Sequence, residues 1–171
     1  MTRDSFQIRL FADRDFEDYA ETLMRTWPCD DIEEARESVG IGVERARDSP
    51  DEEIWVAETG GRAVGFMILG FTKVWGNEGE SFEETGVCVH WFDVHPEYQR
   101  RGIGQGLLNK ARKRGRENRL GCIFMHTAVD NLPMVNLAAK NAFRFERLLK
   151  GFYKEGTSDA FLLVKGLDYP L

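Results

Sequence analysis

The stretch QRRGIGQG, residues 99–106, lies near the middle of the chain and combines two arginines with three glycines. It follows ETGVCVHWFDV, residues 84–94, whose β-branched and aromatic residues are typical of a strand. It leads into a segment in which Ile103, Leu107 and Ala111 recur at helical spacing. Glycine permits backbone conformations that are closed to other residues. The sequence therefore predicts a glycine-rich loop that ends a strand and opens a helix.

The composition is that of an ordinary globular protein. Of the 171 residues, 42% are hydrophobic and 30% are charged. This length is enough for one domain, residues 1–171, with its own core. No apolar run approaches the ~20 residues that span a bilayer, and the N-terminal stretch has the features of neither a signal nor a transit peptide. We therefore expect a cytoplasmic location and no membrane partner.

Charge is distributed unevenly along the chain. Residues 99–119 hold eight basic residues and one acidic residue, a net of +7, which leaves −13 on the rest of a chain whose total is −6. An acidic body argues against nucleic acid as the main partner. A local basic patch suits a small anionic ligand, although a solvated helix face accounts for the same charges equally well.

Cysteine and histidine spacing indicates no metal site. The three cysteines, Cys29, Cys88 and Cys122, form no C-x-x-C pair, and the three histidines lack the spacing of metal ligands. We therefore expect buried, reduced thiols and no bound metal.

Hydrophobic periodicity and turn residues predict the element order β-α-α-β-β-β-α-β-α-β-β. The early and late strands favour antiparallel pairing, and the strand–helix–strand of residues 84–128 favours a parallel crossover. The fold class is thus α/β, with a mixed central sheet of about seven strands and about four helices. Asp30 or Asp31 is expected to cap the second helix. Strands are predicted at 6–10, 53–58, 62–74, 84–94, 122–129, 144–153 and 159–165, and helices at 14–26, 30–47, 103–118 and 132–143.

Three known phosphate-binding patterns contain glycines at spacings similar to those of the loop. A dinucleotide G-x-G-x-x-G pattern would need a glycine at position 107, which is Leu107. A P-loop G-x-x-x-x-G-K-[ST] is absent. The remaining pattern is Q-x-x-G-x-G, formed by Gln99, Gly102 and Gly104 at the start of a helix whose N–H groups attract phosphate. Taken alone, this short pattern fits a structural turn equally well.

The wider context of the loop resembles the GCN5-related N-acetyltransferase (GNAT) superfamily. There the loop follows a strand ending V-x-P, which reads Val-His-Pro at residues 94–96 here. A second segment has an Asn after the next strand and a helix ending K-x-G-F, matched by residues 131–143. Ala142 replaces the usual glycine, which we expect to alter only the helix end. The element order also matches over nearly the whole chain, so the resemblance implies a GNAT-like fold whose parallel fourth and fifth strands splay apart.

The resemblance implies acetyl-CoA as cosubstrate, bound where those two strands splay. The loop would hold the pyrophosphate, the backbone of the fourth strand would pair with the pantetheine arm, and the later segment would hold the end of that arm. The residues so implied are Phe92, Asp93 and Val94 on the strand, Gln99, Arg100, Arg101, Gly102, Ile103, Gly104 and Gln105 in the loop, and Asn131, Asn136 and Lys140 in the later segment.

Acetyl transfer needs a neutral amine, and hence a base, and is helped by donors to the departing thiolate. His126 is the first candidate base, at a position where relatives often carry a glutamate, and the ordinary pKa of histidine suits the task. Glu84 is the rival and His90 a third candidate; a hydrogen-bonded strand histidine and a solvated carboxylate are the plain alternatives. Many relatives carry tyrosine where this chain has Ala138, so Tyr153 is the candidate acid. Departure without an acid stays open, since a thiol pKa is about 8.5.

The final hairpin resembles that of protein N-terminal acetyltransferases of the ribosomal-protein-alanine type, through Tyr153 and Asp159-Ala160. The first two helices usually wall the acceptor site in the superfamily, and here they offer Tyr19, Trp27 and several acids. The resemblance thus implies an N-acetyltransferase acting by direct attack in a ternary complex, with a peptide or protein N-terminus as acceptor. A small amine (polyamine, amino acid or aminoglycoside) and a catalytically silent acyl-CoA-binding module are the alternatives. A homodimer is open, because dimers are common in the superfamily.

Overall fold

The computed structural model describes residues 5–71, 86–153 and 158–167. Seven strands and four helices lie in this part of the chain, as predicted, together with two short 3-10 turns at Asp13–Asp15 and Pro96–Tyr98. In chain order they are β1 Gln7–Leu10, α1 Phe16–Thr26, α2 Ile32–Asp48, β2 Glu52–Thr59, β3 Arg62–Gly70, β4 Gly86–Val94, α3 Ile103–Glu117, β5 Cys122–Ala128, α4 Leu132–Lys140, β6 Arg144–Tyr153 and β7 Ser158–Gly166.

The strands form one mixed sheet in the order β1-β2-β3-β4-β5-β7-β6. The β1–β2, β2–β3, β5–β7 and β6–β7 pairs are antiparallel, whereas β4 and β5 are parallel, with Gly86–Val89 opposite Cys122–Met125. The predicted α/β class and its mixed sheet are confirmed. A splay of β4 and β5 beyond these residues stays a prediction.

The described residues group into two compact units, and the single-domain organisation stays a prediction. The first unit comprises residues up to 70 together with 91–110, and it has a core between α1, α2 and the sheet. Tyr19 of α1 stacks on Phe66 of β3, with ring centroids 4.2 Å apart and planes within 5°. The buried face of α2 consists of Ala35, Val39, Val43 and Ala46, and Asp31 caps that helix by accepting hydrogen bonds from the N–H groups of Glu33 and Glu34. Between the two predicted caps, Asp31 is therefore the N-cap.

The start of α3 packs on β3 at a glycine. A Cβ at Gly65 would lie 2.7 Å from Cγ2 of Ile103 and 3.3 Å from Cδ1 of Leu107. Both of these side chains are buried. Gly65 therefore permits a close approach of helix to strand that a larger residue would prevent, and this contact fixes where α3 begins.

The second unit comprises the remaining described residues, namely Phe71, 86–90 and those from 111 onward. Its core is formed by residues of β5, β6 and β7: Cys122, Phe124, Leu149, Ala160, Leu162 and Val164. In the β5–β7 ladder His126 lies opposite Leu162. In the β6–β7 hairpin the register shifts between Leu149 and Tyr153, which lies opposite Ser158.

Two smaller expectations can be compared with the structure. The cysteines are thiols, of which Cys88 and Cys122 are buried, as expected, while Cys29 is only half-buried. None of the helices in the described ranges combines the length and the apolar character needed to cross a membrane.

Candidate active site

The glycine loop takes a backbone conformation that requires glycine. Gly102 has a φ of +91°, and Arg100 two residues earlier has a φ of +60°. Positive φ is accessible to glycine without strain. A Cβ built on Gly102 would meet no atom within 4 Å. The space in front of this peptide is therefore open to a ligand approaching the backbone.

Side chains of the loop form hydrogen bonds that hold it at the end of β4. The Gln99 side-chain amide donates to the Val94 carbonyl at 3.0 Å. The Arg101 guanidinium donates to the Glu97 carbonyl at 2.9 Å and lies 5.1 Å from the centroid of the Tyr98 ring. Gln99 and Arg101, which were predicted only as ligand-binding residues, thus also make contacts that fix the conformation of the loop.

The loop leads directly into α3. The Gly106 N–H donates to the Gly102 carbonyl at 2.9 Å as the first helical hydrogen bond. The N–H groups of Ile103 and Gly104 precede it, and in a helix such groups have no intrahelical acceptor and carry partial positive charge. Arg100 is exposed beside them. Open space, backbone donors and a cation are the features that a phosphate-binding loop requires, so the residues present fit a pyrophosphate group.

The end of β4 contains a buried carboxylate. Asp93 is 5% exposed, whereas Phe92 and Val94 are half-buried. Asp93 Oδ1 accepts from the Trp27 indole N–H at 3.3 Å, and its other oxygen accepts from the indole of Trp91. Burial raises the pKa of Asp93 from 3.8 to about 6, against the opposing effect of hydrogen bonds that include these two. From the sequence, Asp93 is expected to contribute only its backbone, and the role of its side chain is not predicted, although an acid inside an apolar strand was a usable signal.

Two predicted catalytic residues meet in the second unit. The His126 ring on β5 lies edge-on to Phe152 of β6, with centroids 4.4 Å apart. Tyr153 of the same strand lies 5.7 Å from His126, centroid to centroid. The structure therefore brings the candidate base and the candidate acid together, in an aromatic setting.

The surroundings of His126 and Tyr153 shift the pKa values of both side chains. Burial lowers the pKa of His126 from 6.5 to about 4, and the charge of His90 lowers it further. Burial also raises the pKa of Tyr153 above its usual value of 10. His90 itself has its Nδ1 3.6 Å from the Cys88 sulfur. At neutral pH His126 is therefore a neutral imidazole that can accept a proton, and Tyr153 is a protonated hydrogen-bond donor.

The later segment begins with a capped helix. Asn131 is the N-cap of α4, and its Oδ1 accepts from the Met134 N–H at 3.2 Å. Its amide NH₂ is the group that this side chain could offer a ligand. Asn136 and Lys140 are exposed along α4, whereas Ala138 is buried. The alanine that replaces the tyrosine of many relatives is therefore part of the protein interior.

Other predicted site residues have mixed outcomes. Glu84 lies outside the described residues. Tyr19 is 2% exposed and belongs to the core, so it cannot wall an acceptor site, whereas Trp27 is 43% exposed. In the described ranges, no three His, Cys, Asp or Glu side chains are grouped as a metal site would require.

Solved structures share this fold. An acetyltransferase of the GNAT family from Desulfovibrio desulfuricans superposes with a TM-score of 0.74 at 18% identity, covering 96% of this chain and 100% of that one. The ribosomal-protein-S18-alanine N-acetyltransferase from Escherichia coli gives a TM-score of 0.70 at 13% identity, covering 98% and 97%. NAA60 from Arabidopsis thaliana in complex with acetyl-CoA gives 0.72 at 21% identity, covering 95% and 99%, and its complex with a bisubstrate analogue matches as well.

At these identities the superpositions carry the fold, and the family assignment rests on sequence. A model of the acetyltransferase (GNAT) family matches residues 16–143, well over half of the chain. The matched region begins at Phe16, the first residue of α1, includes the glycine loop and ends at Phe143. The chain therefore belongs to the GNAT family, and the protein is an N-acetyltransferase of that family.

Proposed function

We propose that the protein transfers an acetyl group from acetyl-CoA to a primary amine by direct attack in a ternary complex, with a peptide or protein N-terminus as the acceptor. The observation that carries this proposal is the loop at residues 99–105, where a glycine at φ +91° faces open space at the start of α3. Such a loop presents backbone donors to the pyrophosphate of a coenzyme without a side chain in the way.

The cosubstrate would be held by the residues that the sequence resemblance implies. The N–H groups of Ile103 and Gly104 and the charge of Arg100 would hold the pyrophosphate, while Gln99 and Arg101 keep the loop in shape. Asn131 has an amide suited to the pantetheine arm. Acetyl-CoA supplies the acetyl group as an activated thioester.

The chemistry asks for one proton acceptor and one donor. The amine must lose a proton before it attacks, because an amine is largely protonated near pH 7. His126, neutral at that pH, would accept this proton, with His90 and Glu84 as the remaining candidates. Tyr153 would donate a hydrogen bond to the leaving sulfur. Because the thiolate is a good leaving group, a weak donor is sufficient.

The choice of a peptide acceptor rests on likeness to two relatives. The Escherichia coli protein acts on the alanine of a ribosomal protein, and the NAA60 structure holds a bisubstrate analogue. The corresponding hairpin residues here, Tyr153 and Asp159, lie in β6 and β7, and the Asp159 carboxylate accepts from the Gly151 N–H at 2.9 Å. A small amine remains the second acceptor class, and a silent acyl-CoA binder the third possibility, because position 138 is alanine.

The coenzyme site is tested with Gly102→Glu. A carboxylate at this position would repel the pyrophosphate, and we expect CoA affinity to fall on the order of 100-fold. Gly60→Glu is the matched control, because Gly60 also has a positive φ, +59°, with nothing within 4 Å, but lies between β2 and β3. Calorimetric titration with CoA should separate the two variants. Unchanged affinity in a folded Gly102→Glu protein would contradict the proposal.

The acceptor is tested by a screen with acetyl-CoA that reads release of free thiol. Peptides with free N-termini, polyamines, amino acids and aminoglycosides form the panel, and N-acetylated peptides are the blank. Turnover highest on peptides supports the proposed acceptor, and turnover confined to small amines moves the assignment to the second class. CoA binding by calorimetry without turnover on any member would identify the silent binder.

A further inference from the structure

The β6–β7 hairpin contains a bulge beside the candidate catalytic pair. The register of the hairpin shifts between Leu149 and Tyr153, which lies opposite Ser158. Residues 150–152 of β6, here called the β6 bulge, are thus opposite a single residue of β7, Asp159. A regular antiparallel ladder would pair residues one to one, and Tyr153 would then lie two residues further along the hairpin. At ~3.3 Å per residue, the bulge shortens the reach of β6 by about 7 Å at this point.

The side chain of Asp159 holds the β6 bulge in place. The Gly151 N–H donates to Asp159 Oδ1 at 2.9 Å, and Gly151 has a φ of +60°, which glycine adopts without strain. A hydrogen bond to a carboxylate is roughly twice as strong as one between neutral groups. Asp159 therefore provides a strong acceptor for a backbone N–H at the point where the β6–β7 ladder is interrupted.

The backbone of Asp159 connects the same point to β5. Its carbonyl accepts from the Val129 N–H at 3.3 Å, just past the end of β5. Asp159 is therefore bonded towards both strands that flank β7, through its carbonyl on one side and its carboxylate on the other. Since β5 carries His126 and β6 carries Tyr153, this residue connects the two strands that bear the candidate base and the candidate donor.

The aromatic residues at the end of β6 depend on the bulge for their position. Phe152 and Tyr153 lie 4.4 and 5.7 Å from the His126 ring, centroid to centroid, and they contact each other edge-on at 4.9 Å. Both also pack against the core of the second unit. A bulge changes the direction of the side chains next to it. The contacts that bury His126 therefore depend on the backbone conformation at Gly151.

We propose that Asp159 is a positioning residue for the pair formed by His126 and Tyr153. Its carboxylate fixes the β6 bulge, and the bulge holds both aromatic rings against the imidazole in the arrangement that acetyl transfer uses. Asp159 acts through these side chains rather than on the substrate. The inference rests on the proposed function, in which His126 accepts the proton of the amine and Tyr153 donates to the leaving sulfur.

The first test follows the titration of His126 by NMR in the absence of substrate. Burial holds the pKa of His126 at about 4 in the wild-type protein. Asp159→Ala should release the two rings and admit water to the imidazole, so the midpoint should rise by about one pH unit towards 6.5. Loss of the Asp159 charge by itself would lower this midpoint, because a nearby negative charge favours the protonated imidazole. A rise therefore reports on the position of the rings.

The other groups around His126 are the same in the variant. His90 of β4 lowers the pKa of His126 by its charge. Tyr153 of β6 stays protonated over this range, because burial raises its pKa above 10. Leu162 of β7, opposite His126, is uncharged.

Three further variants sharpen the titration. Asp159→Asn keeps an Oδ1 acceptor for the Gly151 N–H, so the midpoint should stay within about 0.3 pH units of the wild-type value. Glu146→Ala is the matched control, because Glu146 lies at the other register shift of the hairpin and binds Arg144 of its own strand at 3.1 Å. Gly151→Ala keeps the carboxylate but disfavours the positive φ, and it should raise the midpoint as Asp159→Ala does. If Asp159→Ala does not fold, Gly151→Ala carries the same test. A midpoint that stays near pH 4 in the folded variants of this pair would overturn the proposal.

The second test measures kcat with the best amine from the acceptor screen. At pH 8, where His126 is neutral, Asp159→Ala should lower kcat about tenfold and leave CoA affinity within about twofold of the wild-type value. Asp159→Asn should keep most of the activity. Tyr153→Phe removes only the hydroxyl, and Asp159→Ala should add little to its effect, because Asp159 acts through the same residue. Fully additive losses, or an unchanged kcat in Asp159→Ala, would overturn the positioning role. If no amine is acetylated although CoA binds, the proposed function fails, and the His126 titration still decides whether Asp159 holds the pair together.

Discussion

His126 shows how much a residue's surroundings change its chemistry. By type, histidine titrates near neutral pH, and that property made it the first candidate base. In the structure Phe152 and Tyr153 lie beside its ring, and burial lowers its pKa to about 4. The base form is therefore fully populated at neutral pH, but its driving force for taking a proton from an ammonium is small. Its contribution to the rate should be modest.

We expect His126→Gln to lower kcat on the order of 100-fold, at the low end for general base catalysis, with CoA affinity unchanged. Protonation of His126 should lower the kcat of the wild-type protein only as the pH falls towards 4, and not near pH 6.5. His90→Gln is the matched variant, since removing the charge of His90 should move this acid limb to higher pH. Stopped assays across pH 4–8 measure both effects. Equal kcat in His126→Gln and the wild type over this range would exclude His126 as the base.

Residue identities were readable from the sequence where a pattern fixed them, and not where burial decided their role. Gly102 was predicted as a loop glycine, and its positive φ agrees with that need. Asp93 was assigned by its position on a strand, but its carboxylate is turned towards Trp27, which lies 66 residues away in the chain. No local pattern can reveal such a partner. The low pKa of His126 has the same origin, because it depends on β6 residues packed beside it.

At the level of elements, the end of α4 explains a departure from the family pattern. The Phe143 N–H donates to the Ala138 carbonyl and the Ala142 N–H to the Ala139 carbonyl, both at 3.0 Å. These are the two hydrogen bonds of a Schellman motif, whose C′ residue takes the left-handed conformation and is usually glycine. Ala142 is that residue, with a φ of +58°. Ala142 is therefore held in a strained left-handed conformation, and the helix ends at the position where the family pattern has a glycine.

Ala142→Gly should stabilise the protein by up to about 1 kcal/mol, because relief of the left-handed strain outweighs the extra backbone freedom of glycine in the unfolded chain. Ala139→Gly is the matched control, since Ala139 is also exposed but lies within α4. There the same change should destabilise the protein by at most about 1 kcal/mol. Urea denaturation of both variants gives the comparison. A loss of stability in Ala142→Gly would contradict this account of the helix end.

Element boundaries were predicted well wherever an apolar period met a specific stop signal. The predicted helix over 103–118 ends at Glu117, and the predicted strand over 144–153 has the same bounds in the structure. The last helix was predicted to end near Phe143, but it ends at Lys140 because the left-handed Ala142 turns the chain. Glycine would have indicated this stop in the sequence, and alanine does not.

At the scale of the whole molecule, two buried groups shift the proton balance of folding in opposite directions. The folded pKa of Asp93 lies above the ordinary value, so its contribution to stability is complete below pH 3.8 and is lost as the pH rises through 6. The folded pKa of His126 lies below the ordinary value, so its contribution is complete above pH 6.5 and is lost as the pH falls towards 4. Asp15, whose pKa Arg9 lowers against the effect of burial, changes its contribution only below this window.

The two shifts are of similar size, at about 3 kcal/mol each at 1.36 kcal/mol per pKa unit. The unfolding free energy of the wild-type protein should therefore change little between pH 4 and 6.5 through these groups, and single variants should reveal the hidden slopes. In Asp93→Asn the remaining His126 effect should lower stability by about 3 kcal/mol on acidification across this range. In His126→Gln the remaining Asp93 effect should raise stability by a similar amount. Urea denaturation at pH 4.5, 5.5 and 6.5 measures how the unfolding free energy of each variant changes with pH. Changes of the same sign in both variants would contradict the opposing effects of Asp93 and His126, through which the destabilising effect of the buried carboxylate at higher pH is offset.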